Sequence, residues 1–266
     1  MKRFLTSVFA SVLCAAAFAS MANAQRVKPP FVEGETLTYE GKFNKLLASI
    51  SVAELTFTVD RIDGDDFLIK AEARSKSTLL KIFRYTFLQT IESTIDADRF
   101  RAIKTVKHDV QKDRVRDSEA LFDYKDKRVT YTEVDPKEPN KAPRRIASAI
   151  EGTTHDLISG IYSLRMLPLA IGKTFQLQIS DSGLVYDIPV KVTARERIKS
   201  EIGRFWCFRV EPLIFGPGRL IEKDGKMIIW ITDDARRIPV RSQVSAPIGK
   251  IEIKIRSASN AKMAGI

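Results

Sequence analysis

The sequence is poor in the residues that build catalytic and metal centres. It holds two histidines, His108 and His155, and two cysteines in 266 residues. Neither histidine has a second His, Cys or Glu at a ligand spacing such as HExxH or CxxC, so no metal site is expected. The Gly-x-Ser-x-Gly elbow of a hydrolase serine is missing. Phe215–Gly218 reads FGPG, which gives a tight loop but lacks the strand and helix that flank a phosphate cradle. No cofactor is therefore expected. Beyond the N-terminus, no apolar run approaches the roughly 20 residues needed to span a bilayer.

What is present begins with an address. Lys2 and Arg3 precede an uncharged, mainly apolar stretch from Phe4 to Ala19, and Ala22-Asn23-Ala24 follows as a small-x-small signal. This pattern predicts a secretory signal peptide over residues 1–24, cleaved between Ala24 and Gln25, and a mature chain of 25–266 in the periplasm. Only Cys207 then remains, which excludes an intramolecular disulfide; within RFWCFRV it reads as a packed strand residue. The net charge is +11, or +9 without Lys2 and Arg3. Such an excess attracts anions. Outside the cytoplasm these are lipid headgroups and envelope polymers, not nucleic acid, and peripheral membrane contact is compatible with the charge.

Alternation with period two dominates the mature chain. Phe67, Ile69, Ala71 and Ala73 fall on one face, as do Ile251, Ile253 and Ile255 against Lys250, Glu252, Lys254 and Arg256. Phe100, Ala102, Val106 and Val110 form a third such row. One buried and one wet face mean antiparallel sheet. Turn signals fall between the runs at Asp63-Gly64-Asp65, Asp123 to Lys127, Ser182-Gly183, Ile202-Gly203 and Asp224-Gly225, and the last predicts a type I′ hairpin. Two helices are expected. Ser77–Arg84 is short. Thr154–Leu167, capped by Thr153 or Thr154, carries an apolar stripe of Leu157, Ile158, Ile161, Tyr162 and Leu164.

Two stretches look alike, 33–134 and 172–257, joined by 135–171 with its Pro-rich start. Aligning them pairs Asp96 with Asp233, Arg99 with Arg236 and Ile103 with Val240, the expectation for duplicated β halves. The fold class predicted is mainly β: a large, curved antiparallel sheet or open barrel-like cup with one packed helix.

Three stretches carry a family resemblance: FVEGETLTYEGKF, THDLISGIYSLRMLPLAIGKTF and MIIWITDDARRIPVRSQVSAPIGKIEIKI. Together they resemble the exported bacterial family called domain of unknown function 3108. Asp156, Ser159, Tyr162, Arg165 and Gly172 are its most recognisable positions here. The resemblance implies an exported, mainly β protein of a Gram-negative bacterium and assigns no reaction.

The remaining candidates rest on residue chemistry. His155, Asp156 and Ser159 invite a Ser-His-Asp reading, but a triad needs a separate buried carboxylate behind the base. Asp233 and Asp234 point to opposite faces if they lie on a strand; with Arg236 and Arg237 they predict a turn held by ion pairs. Arg101, Lys104 and Lys107 are candidate anion contacts, with Arg101 and Lys107 expected on one face and Lys104 on the other. Tyr85, Phe87, Leu177, Trp206 and Trp230 are candidate lining residues of a concave interior. The expected function is a non-catalytic periplasmic carrier of a lipid or other amphiphile. An envelope scaffold without a small ligand and a hydrolase of lipid or wall substrates are the alternatives. The sequence does not give the oligomeric state.

Overall fold

The computed structural model describes residues 29–45, 48–62, 66–76, 86–246 and 249–260. The leader, the Asp63–Asp65 turn, the Ser77–Arg84 segment and Tyr85 lie outside them. One helix, α1 (Leu157–Met166), and fifteen strands are described. The strands are β1 (Thr36–Lys45), β2 (Ala48–Arg61), β3 (Phe67–Ser75), β4 (Phe87–Asp96), β5 (Arg101–Gln111), β6 (Arg114–Asp123), β7 (Arg128–Val134), β8 (Arg144–Ala149), β9 (Thr154–His155), β10 (Thr174–Asp181), β11 (Leu184–Ser200), β12 (Gly203–Pro212), β13 (Lys226–Thr232), β14 (Pro239–Ala246) and β15 (Gly249–Ser259). No described helix is long and apolar enough to cross a membrane.

All fifteen strands form one open sheet in the order β8-β7-β6-β5-β4-β3-β2-β1-β15-β14-β13-β12-β11-β10-β9. Neighbours are antiparallel except β9 and β10, which run parallel with α1 as the crossover between them. The two look-alike stretches thus run outward from a shared β1–β15 ladder at the middle of the sheet. The segment between them is more than a linker: it supplies β8, β9 and α1.

The sheet curls until its ends meet. β8 approaches β11, and Ser148 Oγ donates to the Gly183 carbonyl at 2.6 Å. Twist in so wide a sheet favours curling over a flat layer. The ends touch without a ladder, so the result is a cup and not a closed barrel. Its inner face follows the alternation: Val59, Phe67, Ile69 and Ile95 are buried on one side, and Ile188, Val190, Val192 and Val210 on another. Each such side chain contributes about 1.5–3 kcal/mol on leaving water. The helix sits inside and joins these two clusters through Ile158 and Tyr162 on one and Leu164 on the other.

Three local expectations change. First, Thr154 belongs to β9, and Asp156 is the N-cap of α1. It closes a capping box with Ser159: Oδ1 accepts from Ser159 N–H at 2.7 Å, and Ser159 Oγ accepts from Asp156 N–H at 2.9 Å. Second, Asp224-Gly225 ends a loop from Leu213 to Gly225 and is not a two-residue hairpin. Gly225 is required there by crowding, since a Cβ would lie 2.5 Å from the Phe215 ring. Third, the Asp96 turn matches Asp234 and not Asp233. Asp96 and Asp234 each accept from the amides two and three residues ahead, as Asp123 also does.

Candidate functional site

A cavity of about 500 Å³ lies between α1 and the inner face of the sheet. Its walls are apolar and come from far apart in the chain, among them Phe57 of β2, Ile91 of β4, Leu177 of β10 and Ile229 of β13. Gly160 of α1 also lines it, with no side chain to project into the space. At one side Leu157 and Ile221, both on the wall, are 37% and 36% exposed. A volume of roughly 300–1,000 Å³ is usual for ligand pockets.

A second chamber of about 120 Å³ adjoins it, because Leu55, Phe57, Ile161, Met227 and Ile229 line both. Tyr39, Tyr162, Arg165 and Ser242 are among its lining residues, yet the surface they present to it is almost wholly apolar. Behind it, the Arg165 guanidinium pairs with Glu35 in two parallel bonds of 2.5 and 2.9 Å. Neither side chain touches solvent. Arg165 also donates to the Arg236 carbonyl at 2.9 Å, and it lies 5.1 Å from the centroids of the Phe31 and Tyr162 rings. This one side chain therefore ties α1 to the segment before β1 and to the β13–β14 turn. Burial pushes the Tyr162 phenol above its usual pKa, with the nearby Arg165 charge opposing the shift. Tyr39 is raised for the same reasons. Both phenols stay protonated and able to donate.

The Ser-His-Asp reading fails on geometry. The Asp156 carboxylate is filled by Ser93 Oγ at 2.6 Å, Thr105 Oγ1 at 2.5 Å and Ser159. None of these bonds comes from His155. His155 is buried, its Nδ1 has no partner in the protein, and burial lowers its pKa to about 4. Ser159 is spent on the cap. These are the bonds of a helix anchored to β4 and β5, not of a base poised beside a nucleophile.

The basic cluster also divides differently. A register shift at Thr94/Ile95, opposite Ala102–Lys104, reverses the faces partway along β5. Ala102 is buried inside while Val106 is 38% exposed outside. Arg101 and Lys104 thus share the outer face, contrary to the alternation, and each holds a carboxylate: Asp96 at 3.1 Å and Glu119 at 2.5 Å. Lys107 points inward alone, into a recess of about 50 Å³ with Ser118 and Ser180 that shares Ile91, Leu157 and Asp181 with the large cavity.

Of the candidate lining residues, Leu177 is on the cavity wall. Phe87 opens β4, half-buried and off the wall. Trp206 is 48% exposed, with Arg195 4.6 Å above its ring. Trp230 alternates with the inward Ile229 and Ile231, so it faces outward, where Nε1 donates to Glu196 at 2.9 Å and Arg241 covers the ring. The structure does not bring these aromatic residues together. Cys207 is buried, and desolvation pushes its thiol up to about 12. Glu35, Ser93 and Thr105 went unnoticed in the sequence. Their partners lie 130, 63 and 51 residues away, and single polar residues within strands carry no periodic signal.

The family model for a protein of unknown function, DUF3108, matches residues 38–256. The chain belongs to this family. Four of the positions that mark the DUF3108 resemblance are now accounted for by α1: Asp156 and Ser159 cap it, and Tyr162 and Arg165 line the small chamber. The fifth, Gly172, sits at φ +86° in the turn before β10 and donates its N–H to the Val192 carbonyl. No curated protein matches the chain. A solved structure described as a β-barrel-like protein of domain of unknown function DUF1849, from Brucella abortus, is similar at a TM-score of 0.59 and 10% identity, covering 86% of this chain and 98% of that one. That likeness concerns the fold alone. Looser matches include a candidate exported protein with a YmcC-like fold from Bacteroides fragilis, at a TM-score of 0.32, 11% identity and 87% and 98% coverage. A candidate lipoprotein from Parabacteroides distasonis gives 0.33, 10% and 87% and 97%. Neither is close enough to carry an argument.

Proposed function

We propose that this DUF3108 protein is an exported, non-catalytic carrier that holds the apolar part of a lipid or other amphiphile inside its cup. The observation that carries this reading is the cavity of about 500 Å³ walled by apolar side chains from the inner face of both arms of the sheet and from α1. Protein interiors are normally packed to crystal-like density, so an apolar space of this size lowers stability unless something fills it. Gly160 lets α1 pack close against β10 at the cavity's edge: a Cβ there would lie 2.6 Å from Ile179 Cδ1. The predicted leader and the positive charge agree with service in the envelope.

Uptake of phenylnaphthylamine, which fluoresces in apolar surroundings, tests the reading. The protein should bind it saturably. Ala71→Trp, which places an indole in the cavity, should weaken binding at least tenfold with the β-sheet circular dichroism unchanged. Native mass spectrometry after gentle purification should find copurified lipid. Absence of both lipid and dye uptake refutes the carrier.

A further inference from the structure

Lys107 is a cation on the inner face of the sheet without a counter-charge. It is half-buried, and among the described residues nothing forms an ion pair or hydrogen bond with it. The carboxylates around it are engaged elsewhere. Asp109, two residues on and on the same face, is held by Arg114 at 3.0 Å and by Gln89 and Gln111. Glu133 accepts from the Tyr131 hydroxyl at 2.7 Å and pairs with Arg116. The Asp156 carboxylate is filled by three hydroxyls. The bulge in β5 is what brings Lys107 here. Counted from the buried Ala102 without it, alternation would turn Val106 inward and Lys107 out to solvent.

Lys107 lies directly across the ladder from Ile91 on one side and Ser118 on the other. Ile91 is on the wall of the large cavity and of the recess of about 50 Å³ that Lys107 lines. Residues paired on one face have Cβ atoms about 5 Å apart, so the ammonium is within one side chain's reach of the cavity. An ammonium only donates, so the missing group is an acceptor, and an ionised acceptor bonds it more strongly than a neutral one. Asp181 lines both spaces and carries a negative charge, which sets a limit: one charge on the ligand is opposed less than two. The recess is also small. A water needs about 10–15 Å³, so there is room for a few oxygen-sized atoms. A carboxylate meets all three conditions. Because Lys107 is half-exposed, the new pair stays partly hydrated and escapes the full cost of desolvation.

We infer that the β5 bulge builds a headgroup site, in which Lys107 binds the carboxylate of a long-chain fatty acid whose tail fills the large cavity. The inference rests on the carrier reading and adds the chemical class of the ligand.

The test displaces bound phenylnaphthylamine with dodecanoate, dodecanol and dodecyltrimethylammonium at pH 8. Dodecanoate should compete at least tenfold better than either of the others, and its advantage over the alcohol should shrink as salt is raised. Lys107→Met should cost dodecanoate about tenfold and leave dodecanol unchanged, while Lys107→Arg keeps the preference. Asp181→Asn should tighten dodecanoate. Lys104→Met, on the outer face, should change nothing. Dye uptake with no preference for the carboxylate overturns the inference and spares the carrier reading. So does a preference for the cationic amphiphile, which would make Asp181 the recognising group. If Lys104→Met weakens dodecanoate as much as Lys107→Met does, the attraction is to overall charge and the site fails. No dye uptake at all defeats both readings.

Discussion

Glu35 and Arg165 show what one residue can be asked to hold. The pair is fully buried, and its attraction has to offset the desolvation of two charges, so its net contribution is small while it stays intact. Removing one partner is different, because it strands the other charge. Glu35→Gln should cost about 3–5 kcal/mol in urea denaturation. The double replacement Glu35→Leu with Arg165→Met should recover much of that loss. His155 gives the second residue-scale expectation. Its pKa is about 4 when folded against an ordinary 6.5, so between those values the unfolded chain binds more protons. Stability should therefore fall as pH drops from 6.5 towards 4, by roughly 3 kcal/mol from this group. The stability curve of His155→Leu should be flatter than that of the parent over that window.

Among the elements, the strands were the most legible and the helix cap the least. Alternation placed the inward row of β3 correctly, and that of β15 as far as Ile255, because the bulge at Arg256 comes only after it. It failed on β5, where one bulge turned Val106 outward, on the side of Arg101, and Lys107 inward, and a bulge leaves no mark in a single sequence. The helix was visible from its stripe, but its start was not. Thr154 is a good cap by chemistry, yet its backbone is drawn into the parallel bridge with Gln178 and its hydroxyl into that residue's side chain. The site was harder still. Leu177 could be read as inward-facing, whereas Tyr162, Arg165 and Ser242 come together only through the curl of the sheet. The β10–β11 turn offers the element-scale test. Gly183 has φ +82°, and a Cβ there would lie 2.6 Å from Tyr131 Cβ and 2.9 Å from Ile146 Cβ. Gly183→Ala should destabilise the protein by about 1–3 kcal/mol and loosen the contact between the sheet ends. Faster amide exchange in β8 would report it.

For the whole molecule, the sheet curls to a point where its ends touch without forming a strand ladder, and that leaves an interior too wide for α1 to fill. The same geometry creates the space and the question of what occupies it. The outward edges need their own defence. β8 carries Arg144 and Arg145, and charge at an edge discourages pairing with another chain.

The ladder between β1 and β15 has one more consequence. Thr36 pairs with Ser259 across the centre of the sheet, so the seam that unites the two runs of strands depends on the most C-terminal strand described. Every other antiparallel pair joins strands that are neighbours in sequence and can zip as the polypeptide emerges. The two arms of the sheet are thus stitched together only through β15, and the chamber beneath owes its closed wall to the last-made strand described.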